Sequence, residues 1–157
     1  MRIEKVINYL FLRKYLLMKK IYKAGFLGIS YGDNLDVYGN VKIFGKRLNI
    51  RIGNDCSLNE GVIFSANAKI ILGNNVTLSS YVLLHTGYLN LATFPKKEHI
   101  YKPIIIGNNV WIASHTTISA GVRIGDNIVI GANSFVNKDL ESGWFYAGTP
   151  VTKIKRI

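Results

Sequence analysis

The chain has 157 residues, with 20 Lys and Arg against 9 Asp and Glu, a formal net charge of +11 and one cysteine. That length fits one domain with a core of its own. A lone cysteine rules out an intramolecular disulfide framework and fits a reducing compartment. The charge favours anionic partners such as phosphates, nucleotides or a membrane surface, and is silent about fold.

In chain order, residues 1–25 come first, with seven Lys/Arg and one Glu among many apolar side chains. Charges at Arg13, Lys14, Lys19 and Lys20 interrupt the segment too often for a membrane span, and it lacks the apolar core and small-residue cleavage site of a secretory signal. Ile3, Val6, Ile7, Leu10, Leu17 and Ile21 share one side of a helical wheel, with Arg2, Lys5, Arg13, Lys20 and Lys23 largely opposite. The pattern predicts an amphipathic helix. Its apolar stripe packs on the rest of the protein or on a neighbouring subunit, or lies on an anionic membrane surface.

From residue 26 to 140 the chain reads as short strands and turns. Gly28, Gly32, Gly39 and Gly45 punctuate an imperfect start, and six-residue units become clear at Ile52-Gly53-Asn54-Asp55-Cys56-Ser57 and Leu58-Asn59-Glu60-Gly61-Val62-Ile63. Five more run without a break from Ile106 to Phe135, beginning Ile106-Gly107-Asn108-Asn109-Val110-Trp111 and ending Ile130-Gly131-Ala132-Asn133-Ser134-Phe135. No helix has period six and a simple strand has period two, so the repeat predicts an all-β fold, a parallel β-helix of short strands meeting at turns. The opening aliphatic of each unit points inward. The small second residue and the Asn/Asp/Gly pair are read as suiting the backbone angles of the turn. Cys56, at a fifth position, is read as a small core residue. Residues 86–103 lose the period and read as a loop thrown out from the coil, and residues 141–157 as a turn-rich exit and basic tail.

The units, with Leu84-His85-Thr86-Gly87 at the loop junction, Val136-Asn137-Lys138-Asp139 and Ala147-Gly148-Thr149-Pro150, closely resemble the hexapeptide-repeat acyltransferases. The likeness runs from about Ile52 to Lys155 and is greatest to the sugar O-acetyltransferase group of galactoside, maltose, capsule and lipopolysaccharide acetyltransferases. It implies a left-handed parallel β-helix, a homotrimer, and acetyl-coenzyme A sites in the clefts between subunits. The left hand rests on the resemblance alone, since ordinary parallel crossovers are right-handed.

The residues add a site reading of their own. His85 stands at a normally small second position, where the coil opens into its loop. Acetyl transfer to a sugar hydroxyl needs a base near neutrality, which histidine supplies, and the family places its catalytic His at this junction. By match to the family, Asn59 binds the acceptor. Trp111, Ser114, Ala132, Asn137, Lys138 and Lys155 bind acetyl-coenzyme A, Trp111 as a cleft wall or a packing residue, and an N–H near Ser114 meets the thioester oxygen. Asn137 departs from the family's Thr, and Lys155 from an Arg, keeping the charge without the fork. The acidic acceptor ligand is unassigned, with Asp33 and Asp36 as candidates. His99 and His115 read as a solvated loop residue and a corner residue. With His85 they lack the ligand spacing of a zinc site, so no metal is expected. The resulting expectation is a cytoplasmic enzyme, associated with the inner membrane face if residues 1–25 bind there. It acetylates a sugar or glycan of a surface polysaccharide and has no nucleic-acid partner. The rival expectations are N-acetylation of an amino sugar and a non-catalytic structural β-helix.

Overall fold

The computed structural model describes residues 28–157, so the helix expected over residues 1–25 lies outside the described residues. The chain winds as a three-sided parallel β-helix. The first face stacks Ser30–Tyr31, Ile50–Ile52, Ile70–Leu72, Ile104–Ile106 and Arg123–Ile124. The second stacks Asp36–Val37, Ser57–Leu58, Val76–Leu78, Val110–Ile112, Ile128–Ile130 and Trp144–Ala147, with Thr152–Arg156 folded back antiparallel on the last. The third stacks Lys42–Gly45, Ile63–Ala66, Leu83–His85, Thr117–Ile118 and Phe135–Val136.

Opening apolar side chains stack in register along the interior: Ile52, Leu72, Ile106 and Ile124 on the first face, Leu58, Leu78, Ile112 and Ile130 on the second, Phe64, Leu84, Ile118 and Val136 on the third. All are buried, as is Cys56. Where the fifth position is polar, its hydroxyl is satisfied: Thr116 and Ser134 both donate to the Gly131 carbonyl, at 3.2 and 2.6 Å.

The turn chemistry corrects one part of the sequence reading. The backbone turns left-handed at the fourth position of a unit: Asp55, Asn75, Tyr81, Asn109, His115, Asn127 and Asn133 have φ between 54° and 61°. The second-position glycines are small for a different reason, the closeness of the next coil. A Cβ on Gly73 would come 2.6 Å from the Gly107 carbonyl oxygen, and one on Gly53 2.5 Å from that of Gly73. Between the first and second faces, third-position side chains cap the backbone one coil away. The N–H groups of Asn54 and Asn74 donate to Asn74 and Asn108 Oδ1, both at 2.8 Å, and Asp126 N–H donates to Ser142 Oγ at 2.9 Å.

One coil is much longer than the rest. Residues 86–103 leave the corner between the third and first faces and include an antiparallel ribbon, Gly87–Leu89 with His99–Tyr101. The segment read as a basic tail is a strand whose Lys153 pairs with Glu141 at 2.7 Å and covers Trp144 at 4.3 Å.

Candidate active site

His85 ends a third-face strand, level with Ser65 in the next coil, and its side chain is exposed. The residue after it fixes its backbone. Thr86 is fully buried, its Oγ1 donates to the Ser65 carbonyl at 2.7 Å and accepts from Ala68 N–H at 3.1 Å, and its carbonyl accepts from Lys102 N–H at 2.9 Å. Gly87 then leaves space beside the imidazole. A Cβ there would lie 2.9 Å from the Tyr101 ring and 3.8 Å from His85 Nε2. Tyr101 in turn stacks on His99, with centroids 6.2 Å apart. His99 and Tyr101 thus extend an aromatic wall along the ribbon beside His85. Sequence reading missed it, because residues 99–101 carry no six-residue period.

A second group of residues lies on the second face. Thr77, Trp111, Val129, Phe145 and Lys155 occupy one register row across adjacent strands, all pointing outward. Trp111 is 56% exposed, and its Nε1 donates to Ser79 Oγ at 2.9 Å, which fixes an otherwise free indole. Two hollows flank the row. One of about 240 Å³ is lined by Asn75, Thr77, Asn109 and Trp111 among others, and one of about 270 Å³ by Val129, Phe145, Lys155 and Ile157. An apolar strip ending in a cation suits a long, partly apolar ligand with an anionic end.

The corner between the second and third faces adjoins that strip. Here the third positions are Ser80, Ser114 and Ala132 rather than Asn or Asp, and no side chain caps them. Ala113 N–H and His115 N–H are tied to the Ile130 and Ser80 carbonyls, whereas the N–H groups of Ser80, Ser114 and Ala132 have no partner among the described residues. The missing Asn/Asp ladder was the sequence signal for these open donors. Asn59 sits on the same corner, two coils earlier, and its Nδ2 donates to the Leu78 carbonyl at 3.1 Å. His115 stacks on Tyr81 at 5.0 Å, which gives this corner residue a packing partner.

The expected site residues therefore fall on two edges. Trp111, Ser114, Ala132, Lys155 and Asn59 occupy the second face and its corner with the third. His85, Asn137 and Lys138 stand at the far end of the third face, the last two exposed one and two residues past the Phe135–Val136 strand. Five residue steps of strand and turn lead from Ser114 to Ser119, the position level with His85, a path of at most about 16 Å at about 3.3 Å per residue. Neither hollow includes His85. The imidazole and the open N–H groups thus stand at opposite edges of the third face. Among the described residues no cluster of three His, Cys, Asp or Glu could hold a metal ion, and no helix is long and apolar enough to cross a membrane.

The model of the bacterial transferase hexapeptide (six repeats) family matches residues 103–138. The chain also aligns with the crystal structure of a maltose O-acetyltransferase from Clostridium difficile 630, at 33% identity and a TM-score of 0.74, over 82% of this chain and 69% of that one. The chain belongs to the hexapeptide-repeat family. Within the family it is similar to the galactoside O-acetyltransferase of Escherichia coli K12, 40% identical over 111 residues, which are 69% of this chain and 55% of that protein. It is also similar to a hexapeptide-repeat acetyltransferase of Vibrio cholerae solved with acetyl coenzyme A, at 29% identity and a TM-score of 0.78, over 82% of this chain and 71% of that one. The left-handed parallel β-helix is the fold of this hexapeptide-repeat group. The matched segment spans between 55% and 58% of the length of the first curated relatives.

Proposed function

We propose that this protein is an acetyl-coenzyme A-dependent sugar O-acetyltransferase working as a homotrimer, with each site built from two protomers. The observation that carries the reading is the split arrangement. An imidazole held at the end of one edge is complemented by an apolar, cation-ended strip and a file of open N–H groups on another. A cyclic trimer uses both edges of every protomer and closes without leaving either one bare. Relatives named as galactoside and maltose O-acetyltransferases support the reaction class, and a V. cholerae relative solved with acetyl coenzyme A supports the donor.

In the proposed reaction the donor lies along the strip, with Trp111 and Phe145 against its arm, Lys155 toward its phosphates, and Lys138 reaching them from the neighbouring protomer's His85-bearing edge. A ring nitrogen of His85 from the neighbouring protomer takes the proton of the sugar hydroxyl as that oxygen attacks the thioester carbonyl carbon. The open Ser114 N–H stabilises the negative charge that builds on the carbonyl oxygen. The carbon–sulfur bond then breaks, and the imidazolium returns its proton to the leaving sulfur. No acyl-enzyme is needed: Cys56 is buried and burial raises its thiol pKa, so it is a poor nucleophile. Asn59 contacts the acceptor. The enzyme acts in the cytoplasm on a surface polysaccharide precursor. An N-acyltransferase of Bacillus cereus at 23% identity, TM-score 0.74, shares the fold alone and leaves the acceptor atom to experiment.

The test is acetyl-coenzyme A turnover with a panel of sugars, wild type beside His85→Ala. The variant is expected to lose about 10²- to 10⁴-fold in kcat while binding the donor as before. Unchanged O-acetylation would remove the mechanism. Full activity confined to amino sugars would replace it with N-acetylation, since a neutral amine needs less help from a base.

A further inference from the structure

Charge is sorted by corner along the prism. The corner between the first and second faces carries Asp33, Asp55 and Asp126 and no Lys or Arg. The corner between the second and third faces carries Glu60 alone, its carboxylate taken by Asn40 N–H at 2.7 Å. The corner between the third and first faces instead carries Lys46 and Arg47, Lys69, Lys102 and Lys138 on nearly every coil, all exposed. Arg51 and Arg123 flank it on the first face, and Lys96 and Lys97 stand in the nearby loop. Its carboxylates are Asp139, which accepts from Arg123 N–H, and Glu98 in the same loop as Lys96 and Lys97. Among the described residues none of these cations is in an ion pair. Like charges stacked about 5 Å apart along a solenoid repel one another and raise the local potential, which draws anions to the edge.

This edge is the one that bears His85. Lys69 and Lys102 are the cations nearest it in the chain of contacts. Ala68 N–H bonds Thr86 Oγ1, Lys102 N–H bonds the Thr86 carbonyl, and Thr86 follows His85 directly. The Lys102 ammonium lies 5.6 Å from the Tyr88 ring centroid with no carboxylate partner. The donor's phosphates lie toward Lys155, beyond the last coil and at the level of Lys138, whereas Lys102 and Lys69 stand two and three coils before Lys138 on this edge. A second copy does not neutralise these two lysines, since the edge it would present carries only the engaged Glu60.

We infer that the acceptor of this enzyme is itself anionic, a sugar bearing a phosphate or a carboxylate that Lys69 and Lys102 hold beside His85. The inference rests on the acetyltransferase reading above and names the substrate class of that site. The cations set which acceptor is used, and the aromatic wall of Tyr101 and His99 offers ring faces on which a sugar packs.

The test compares kcat/KM for a neutral methyl hexoside, the matching hexuronic acid and the matching hexose 1-phosphate, at low and high salt, in wild type and in Lys69→Gln/Lys102→Gln. At low salt the wild type is expected to favour one anionic acceptor over the neutral one by about tenfold or more, and salt should shrink that margin. The acid and the phosphate ester show which group is recognised. The double variant should lose most of the preference while its KM for acetyl-coenzyme A holds. Equal use of the neutral sugar by the wild type, or a preference the double variant keeps, overturns the inference. So does a double variant that only loses binding to phosphatidylglycerol vesicles. If no sugar is acetylated at all, saturation-transfer NMR with the same three sugars reads binding alone. Charge-selective binding lost in the double variant keeps the inference while the reaction falls, and unselective binding ends it.

Discussion

Asn109 shows how one side chain serves both the bend and the stack of this coil. Its φ of 56° lies in the left-handed region, where Asn is tolerated and most residues are strained. Its Oδ1 accepts from Asn75 Nδ2 and its own Nδ2 donates to Asn127 Oδ1, both at 3.0 Å. Asn109→Ala is expected to cost about 1–2 kcal/mol for the backbone strain, with a further small loss because the ladder is solvent-exposed. Asn109→Gly removes the ladder but relieves the strain, so it should cost less. Urea midpoints at unchanged m-value compare them, and equal losses would mean that the ladder rather than the backbone carries the cost. Cys56 gives a second residue-scale prediction. Its sulfur is buried against the Asn54 and Gly73 carbonyls at 3.3 Å, and desolvation raises the thiol pKa. A thiol-reactive dye at mildly alkaline pH should label the native protein far more slowly than the denatured one. Rapid native labelling would mean that the second turn of the coil opens readily.

At the scale of the element, the terminal hairpin of Trp144–Ala147 with Thr152–Arg156 closes the last coil. Trp144 is clamped between Lys153 and Arg156, at 4.3 and 5.3 Å, with Glu141 holding Lys153. The Lys153 hydrogen bond and charge lower the Glu141 pKa. The stabilising contribution is therefore complete above the ordinary carboxylate pKa and is lost as pH falls through the lowered one. The pair is exposed, so the effect is local. In a Trp111→Phe background, Trp144 emission should change on acidification, and Glu141→Gln should remove that step. This hairpin was not legible in the sequence, because Val151 to Ile157 lacks the six-residue period and its pairing partner is set by a turn. The coil was legible from Ile52 onward because each inward aliphatic recurs at a fixed interval, which only a stacked solenoid uses. His85 stood out because it breaks that rule at a small position. Tyr101 did not stand out, since its place beside His85 depends on the pairing of Gly87 with Tyr101 across the ribbon. The open N–H groups of Ser80, Ser114 and Ala132 were legible only by contrast with the capped corner.

At the scale of the whole molecule, the split between edges makes a prediction that a single-protomer site cannot share. His85→Ala disables one edge, and Ala132→Trp fills the other, where an exposed small side chain adjoins the open N–H groups. Each variant alone should be inactive. In trimers assembled at random from equal amounts of both, every site takes its imidazole from one protomer and its donor edge from the next. About one site in four then combines two intact edges, so mixing after dissociation should restore about a quarter of wild-type activity. Were both halves supplied by one protomer, no mixture could contain an intact site and activity would stay absent. The mixed assembly must first be shown to be trimeric by light scattering and to unfold at the wild-type temperature. The Trp side chain then blocks a groove rather than the fold, and recovery reads only which protomer brings which half.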